Sequence, residues 1–167
     1  MSAQDRYRRL SLWWDTLPDE LVGEPRPPLP GSTEADVAIV GGGYTGLWTA
    51  YYLSVADPSL RIVVLEAQTA GFGASGRNGG WASVLFPTSL DVVAASSSRQ
   101  AAIDLQRAMF DTVDEVGRVA AAEGIDCHFR KGGTISLART RVQLDRAKAA
   151  IAAERSWGFG EADFRFL

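Results

Sequence analysis

The sequence predicts an α/β fold that opens with a parallel β-α-β unit. Three observations predict it. Asp36–Val40 (DVAIV) and Arg61–Glu66 (RIVVLE) are short, apolar, β-branched runs of the kind expected for strands buried on both faces. Between them, GGGYTG leads directly into LWTAYYLSV, which reads as a helix ended by Asp57 and Pro58. The three pieces together have the size of a single crossover unit.

The elements follow in order. Residues 1–35 form a leader. Its run SLWWDTLP (Ser11–Pro18) is amphipathic and aromatic, and EPRPPLPGS (Glu24–Ser32) is proline-rich and therefore extended. Two adjacent tryptophans, Trp13 and Trp14, are expected to dock on the folded body. In the first long helix Leu47, Ala50, Tyr51 and Ser54 share one face, which is expected to meet the sheet. TAGFGASGRNGG (Thr69–Gly80) has five glycines and no periodicity, so it reads as a loop. Ser98–Glu123 reads as a helix with Ile103, Leu105, Met109, Phe110, Val113 and Val116 on its apolar face and Gly124 as its stop. Cys127–Ala138 reads as two short strands around Lys131, Gly132 and Gly133. Thr140 caps a last helix reaching about Trp157, and FRFL at the end reads as a strand beginning.

Composition removes several function classes. Net charge is 17 − 20 = −3, which gives no general attraction for nucleic acid or anionic lipid. The cluster Arg6, Arg8 and Arg9 reads as a solvated tail. Cys127 is the single cysteine, so neither an internal disulfide nor a cysteine metal cluster forms within the chain, and a reducing, cytoplasmic setting is expected. The charged N-terminus is not followed by a signal-peptide-like apolar run. Val37–Ala56 carries no charged residue, but its glycines mark a strand, turn and helix rather than a membrane span.

The glycine turn carries the chemistry. Gly41 permits the tight turn from strand to helix, Gly43 leaves room for a pyrophosphate near the backbone, and Gly46 lets the helix pack closely on the strands. Phosphates then meet the free N–H groups and positive dipole end of the helix. Glu66 ends the second strand, where its carboxylate accepts hydrogen bonds from ribose hydroxyls and repels a 2′-phosphate, which disfavours NADP. A turn of this kind serves FAD or NAD alike. The loop Gly73–Gly80 (GASGRNGG) adds backbone N–H groups without bulk, with Ser75 and Asn78 as side-chain donors, and suits a large anionic cofactor.

DVAIVGGGYTGLWTAYYL (Asp36–Leu53), RIVVLEA (Arg61–Ala67) and GFGASGRNGG (Gly71–Gly80), with the SLWWDTLP leader, resemble the FAD-dependent oxidoreductases of the D-amino-acid oxidase family. Within it the gamma-glutamylputrescine oxidase branch is the most similar. The resemblance is strong over residues 11–80 and weaker to the end. It implies a Rossmann-like FAD-binding domain, incomplete, over 36–126 and the start of a sheet-containing substrate domain over 127–167. It implies FAD as cofactor, with Gly41, Gly43, Tyr44, Thr45 and Gly46 lining the pyrophosphate, Glu66 at the adenosine ribose and Ala67 as a further cofactor contact. Ala74, Ser75, Gly76, Arg77, Asn78, Gly79 and Gly80 would run toward the flavin ring.

The implied reaction is oxidation of an amine or amino acid, with hydride passing from the carbon next to nitrogen to the flavin. Most of the family's substrate domain and its FAD-closing C-terminal segment are not found. The chain is therefore expected to be a truncated product, a fragment or half of a split protein that needs a complementing C-terminal chain for turnover. Catalytic residues stay unassigned. His128, in a predicted strand, reads as structural or as a surface residue, Cys127 as a small buried hydrophobe, and Asp111, Asp114 and Glu115 as a solvated helix face, with no metal site. Two alternatives stand beside this reading: a non-catalytic remnant that binds nucleotide or a partner chain, and an NAD-dependent dehydrogenase.

Overall fold

A computed structural model describes residues 3–22 and 26–167; Glu24 and Pro25 of the proline-rich stretch lie outside the described residues. The remainder of that stretch forms neither helix nor strand. The chain packs as two units, Met1–Trp81 and Ala82–Leu167.

The first unit begins with three short helices, α1 (Ala3–Arg8), α2 (Leu12–Asp15) and α3 (Asp19–Val22). The β-α-β unit follows as β1 (Val37–Val40), α4 (Tyr44–Ala56) and β2 (Ile62–Leu65). The two strands pair in parallel, Val37 opposite Ile62 and Val40 opposite Leu65. Asp36 and Arg61 clamp the entrance to the pair: the Arg61 backbone N–H and guanidinium Nε donate to Asp36 Oδ2 at 2.9 and 3.1 Å, and Nη2 donates to Oδ1 at 3.0 Å.

Two expectations for this unit are corrected. β1 is covered on one face only, since Val37 and Ile39 are half-buried while Ala38 and Val40 are exposed, Val40 at 87%, whereas Ile62, Val63 and Val64 of β2 are all half-buried. With a single crossover helix as cover, no residue of either strand is fully buried. The covered stripe of the helix overlaps the expected one only in part, since Ala50 and Tyr51 are half-buried as expected. Gly46, Ala50 and Leu53 are half-buried at i, i+4 and i+7, whereas Leu47 and Ser54 are exposed. Contact between Gly46 and Ile39 sets that rotation, because only a residue without a side chain lets the helix approach so closely.

The second unit is helical: α5 (Leu90–Ser96), α6 (Arg99–Ala122) and α7 (Arg141–Trp157). Ser98 caps α6 by accepting the Ala101 N–H at 3.0 Å. Thr140 and Gln143 form a reciprocal capping box on α7, with Gly158 in the left-handed conformation at its end. The core is small: Ala102, Val119 and Ala120 of α6 are buried, as is Phe159, whose ring meets Phe110 and Phe164 at 5.7 and 6.2 Å. Arg155 secures the turn after α7 by donating to the Phe159 and Phe164 carbonyls at 2.8 and 2.5 Å.

Cys127–Ala138 does not form the two expected strands. A hairpin of two short strands is marginal in water without a third strand or a covering helix, and Ile135 and Leu137 stand 69% and 83% exposed. What holds the segment to α6 is Phe129, seated against Gly117, with an ion pair between Lys131 and Asp114. Nor does the terminal FRFL form a strand. Phe164 belongs to a turn, its N–H donating to Gly160 O at 3.0 Å and its ring joining the aromatic cluster.

Candidate functional site

The glycine turn between β1 and α4 is built by its backbone. Gly41 has φ +104°, a left-handed conformation that favours glycine, and its N–H donates to Leu65 O at 2.7 Å. Gly43 is the N-cap of α4 and offers no side-chain cap. A Cβ on Gly46 would lie 2.1 Å from Gly41 O and 3.2 Å from Ile39 Cγ2, so this position sets the closeness of helix to strand. In the first turn of α4 the Tyr44 N–H donates to Ser75 Oγ at 2.9 Å. The Thr45 and Gly46 N–H groups have no acceptor among the described residues. These donors lie at the positive end of the helix dipole.

Glu66 stands at the end of β2. Its Oε2 accepts the Gly42 N–H at 2.8 Å and its Oε1 accepts the Gln68 N–H at 3.0 Å. Those bonds, with a smaller contribution from the Ala67 N–H, hold its carboxyl below the usual carboxylate range despite some opposing desolvation. Glu66 is therefore an oriented carboxylate at neutral pH, with lone pairs remaining for further donors.

The loop Gly73–Gly80 folds back onto the turn. Its Ala74–Gly76 segment is one turn of 3-10 helix, and a Cβ on Gly76 would strike Gly71 O at 2.2 Å. Asn78 holds the loop together: its amide donates to Ser75 O at 2.7 Å and to Tyr44 Oη at 3.2 Å, while its Oδ1 accepts the Gly80 N–H at 2.8 Å. Arg77 turns toward Phe72, donating from Nε to the Phe72 carbonyl at 2.8 Å with its guanidinium 4.6 Å from the ring centroid. Ala67 and Gly79 are exposed.

The structure thus gathers Gly41, Gly43, Tyr44, Thr45, Gly46, Glu66, Ser75 and Asn78 around one turn, and it turns Arg77 against its own loop. Sequence reasoning passed over Gly42. This residue is buried, donates to Glu66, accepts the Gly71 N–H at 2.9 Å through its carbonyl, and has Glu66 Cβ 3.3 Å from where its own Cβ would be. The middle glycine of GGG was the available signal. Trp13 docks on the same loop, its Nε1–H donating to Asn78 O at 2.8 Å. Trp14 lies against Tyr7 with the rings tilted and 5.4 Å apart, and the Tyr7 ring in turn meets Phe72 at 6.1 Å. A surface cleft lined by Arg8, Arg9, Leu10, Ser11, Leu12 and Asp15 includes none of the expected cofactor contacts.

The remaining candidates lie elsewhere. Cys127 is exposed rather than buried, because its segment pairs with no strand. His128 is not in a strand: it has φ +53° and an exposed ring whose Nδ1 lies 3.4 Å from Asp126 Oδ1. Asp111 and Asp114 are exposed on α6, and Glu115 pairs with Arg118. Among the described residues no group of three or more His, Cys, Asp or Glu is arranged to hold a metal ion, and no helix is long and apolar enough to cross a membrane.

Residues 36–167 match the family described as DAO, FAD dependent oxidoreductase. The chain is similar to gamma-glutamylputrescine oxidoreductase of Escherichia coli (strain K12), 41% identical over 102 residues that cover 61% of this chain and 24% of that protein. It is also similar to two proteins named probable oxidoreductase OrdL. The one from Haemophilus influenzae is 33% identical over 80% of this chain and 30% of its own length. The one from Rhizobium meliloti is 35% identical over 91% and 35%. The chain therefore spans about a quarter to a third of the length of these relatives. No solved structure gives a significant match.

Proposed function

Since the chain belongs to the FAD-dependent oxidoreductase family that its residues 36–167 match, we propose that it holds the adenosine diphosphate half of FAD at the turn between β1 and α4. One observation carries the reading: Glu66 is held ionised and oriented by the Gly42 and Gln68 N–H groups beside a helix start whose Thr45 and Gly46 N–H groups have no acceptor among the described residues. The pyrophosphate belongs at those donors, where the helix dipole favours negative charge. The ribose hydroxyls belong at Glu66. Ser75 supports the placement, since Tyr44 already gives its N–H to an oxygen there. Gly76, Asn78, Gly79 and Gly80 continue the cradle, with Ala67, Ala74 and Arg77 at its margin.

When bound, the flavin supplies a hydride acceptor for oxidising the C–N bond of an amine or amino acid. The residues of this chain bind and orient that cofactor; none is assigned to substrate. We assign 36–126 to the FAD-binding domain and 127–167 to the beginning of the substrate domain. Turnover belongs to the complete parent protein, or to this chain joined by a complementing one in a cytoplasmic setting. The share of the relatives' length that the chain covers supports this.

Purified chain should be mixed with FAD, passed through gel filtration and read by flavin absorbance. Retention is expected, and Gly43→Val should abolish it: a Cβ at Gly43 lies 3.1 Å from Ser75 Oγ, so the added branches displace that hydroxyl and fill the turn. Unchanged flavin content in the variant would sink the placement of the pyrophosphate. Retention of NAD in place of FAD would favour the dehydrogenase alternative.

A further inference from the structure

We propose that Trp13 is a positioning residue for the FAD loop, so that docking of the leader sets how tightly the loop holds the cofactor; this rests on FAD binding at that loop. The contact is specific on both sides. The indole Nε1–H donates to Asn78 O at 2.8 Å, across 65 residues of sequence. Its six-membered ring lies over Gly80, where a Cβ would come within 2.6 Å of Cζ2 and 2.8 Å of Cη2. Gly80 also has φ +69°, so the loop turns at the point the indole covers.

Asn78 relays this contact to the turn. The residue that accepts from the indole also bonds through its amide to Tyr44 Oη and Ser75 O, and Ser75 Oγ receives the Tyr44 N–H at the start of α4. The leader has a second anchor at the other end of the loop, where the Tyr7 ring meets Phe72 and Arg6 donates to Gln68 Oε1 at 2.9 Å. Arg8 keeps the leader in shape by donating to the Asp15 and Leu17 carbonyls at 2.9 and 3.1 Å. A loop rich in glycine has large conformational freedom to lose. An indole that restricts it beforehand lowers the ordering needed on binding.

The test uses the full chain, with hydrogen exchange read by mass spectrometry and FAD affinity read by flavin fluorescence. Trp13→Ala should speed exchange at amides 73–80 while amides of β1 and β2 keep their protection, and should weaken FAD binding roughly tenfold. Trp13→Phe keeps an aromatic ring over Gly80 and loses the hydrogen bond, so it should recover part of both. Trp13→Ala with unchanged loop exchange and unchanged FAD affinity overturns the proposal. So does exchange rising equally throughout the unit with no rescue by Phe, which reports general destabilisation. Wild-type chain that retains no FAD overturns the cofactor reading itself, and the proposal with it.

Discussion

The Gly42 N–H and the Glu66 carboxylate meet at 2.8 Å, linking the turn after β1 to the end of β2. Because Gln68 binds the other oxygen, the carboxylate is aimed by the backbone rather than left to its rotamers. Glu66→Gln replaces one acceptor oxygen with a donor amide, so one of the two backbone N–H groups loses its partner. It also removes the negative charge that repels a 2′-phosphate. FAD affinity is expected to fall roughly tenfold, and the preference for ADP over adenosine 2′,5′-bisphosphate should narrow. Competition binding with the two nucleotides checks this; an unchanged preference removes Glu66 from the ribose.

Gly46 and Gly41 form a close contact that tolerates no side chain. In Gly46→Ala the new Cβ would lie 2.1 Å from a backbone oxygen, so α4 has to shift off the strands. Overpacking of this kind costs about 1–3 kcal/mol, against about 1 kcal/mol gained from alanine's helix propensity. Net destabilisation is expected in urea unfolding. Gly160→Ala is the control: nothing lies within 4 Å of its Cβ and no positive φ is involved, so its effect should stay within about 0.5 kcal/mol.

The parts of the fold legible in the sequence were those with local causes. β1, α4 and β2 follow from apolar runs around a glycine turn, and α6 and α7 begin at the cap residues Ser98 and Thr140. Short helices such as α1 and α5 lack enough turns to display a period. Strands at Cys127–Ala138 failed because pairing is non-local, and a β-branched pattern does not supply a partner. The site divides in the same way. Gly41, Gly46 and Glu66 were visible through spacing, whereas Gly42 acts through a bond to a residue 24 positions away, and the docking expected of Trp13 has its partner, Asn78, 65 positions away.

Asp36 makes the β-α-β unit sensitive to acid. Hydrogen bonds from the Arg61 side chain and backbone lower its pKa from 3.8 to about 2. A carboxyl whose pKa is depressed on folding contributes stability above its unfolded value, and that contribution is lost as pH falls through the folded one. Asp36→Asn removes the contribution. The stability gap between wild type and variant should therefore be constant from about pH 7 to pH 5 and close between about pH 4 and pH 2. Both side chains are solvent-exposed, so added salt should shrink the gap. A gap that stays constant with pH means the ion pair contributes nothing.

Gly117 lies inside α6, where glycine is unfavourable by about 1 kcal/mol relative to alanine. Its use there is explained by Phe129, whose Cε1 sits 2.5 Å from the position a Cβ would take. Gly117→Ala pits the helix gain against displacement of that ring, and the ring is the free end of a side chain rather than fixed backbone. The two effects should nearly cancel in the wild-type background, leaving a net change under about 1 kcal/mol. With Phe129→Ala the obstacle is gone and the same substitution should stabilise by about 1 kcal/mol. The double-mutant cycle thus reads the coupling directly. Hydrogen exchange adds a second check: Gly117→Ala should release residues 127–138 from α6 while the helix stays protected. Equal effects of Gly117→Ala in both backgrounds would mean that Phe129 does not anchor the segment.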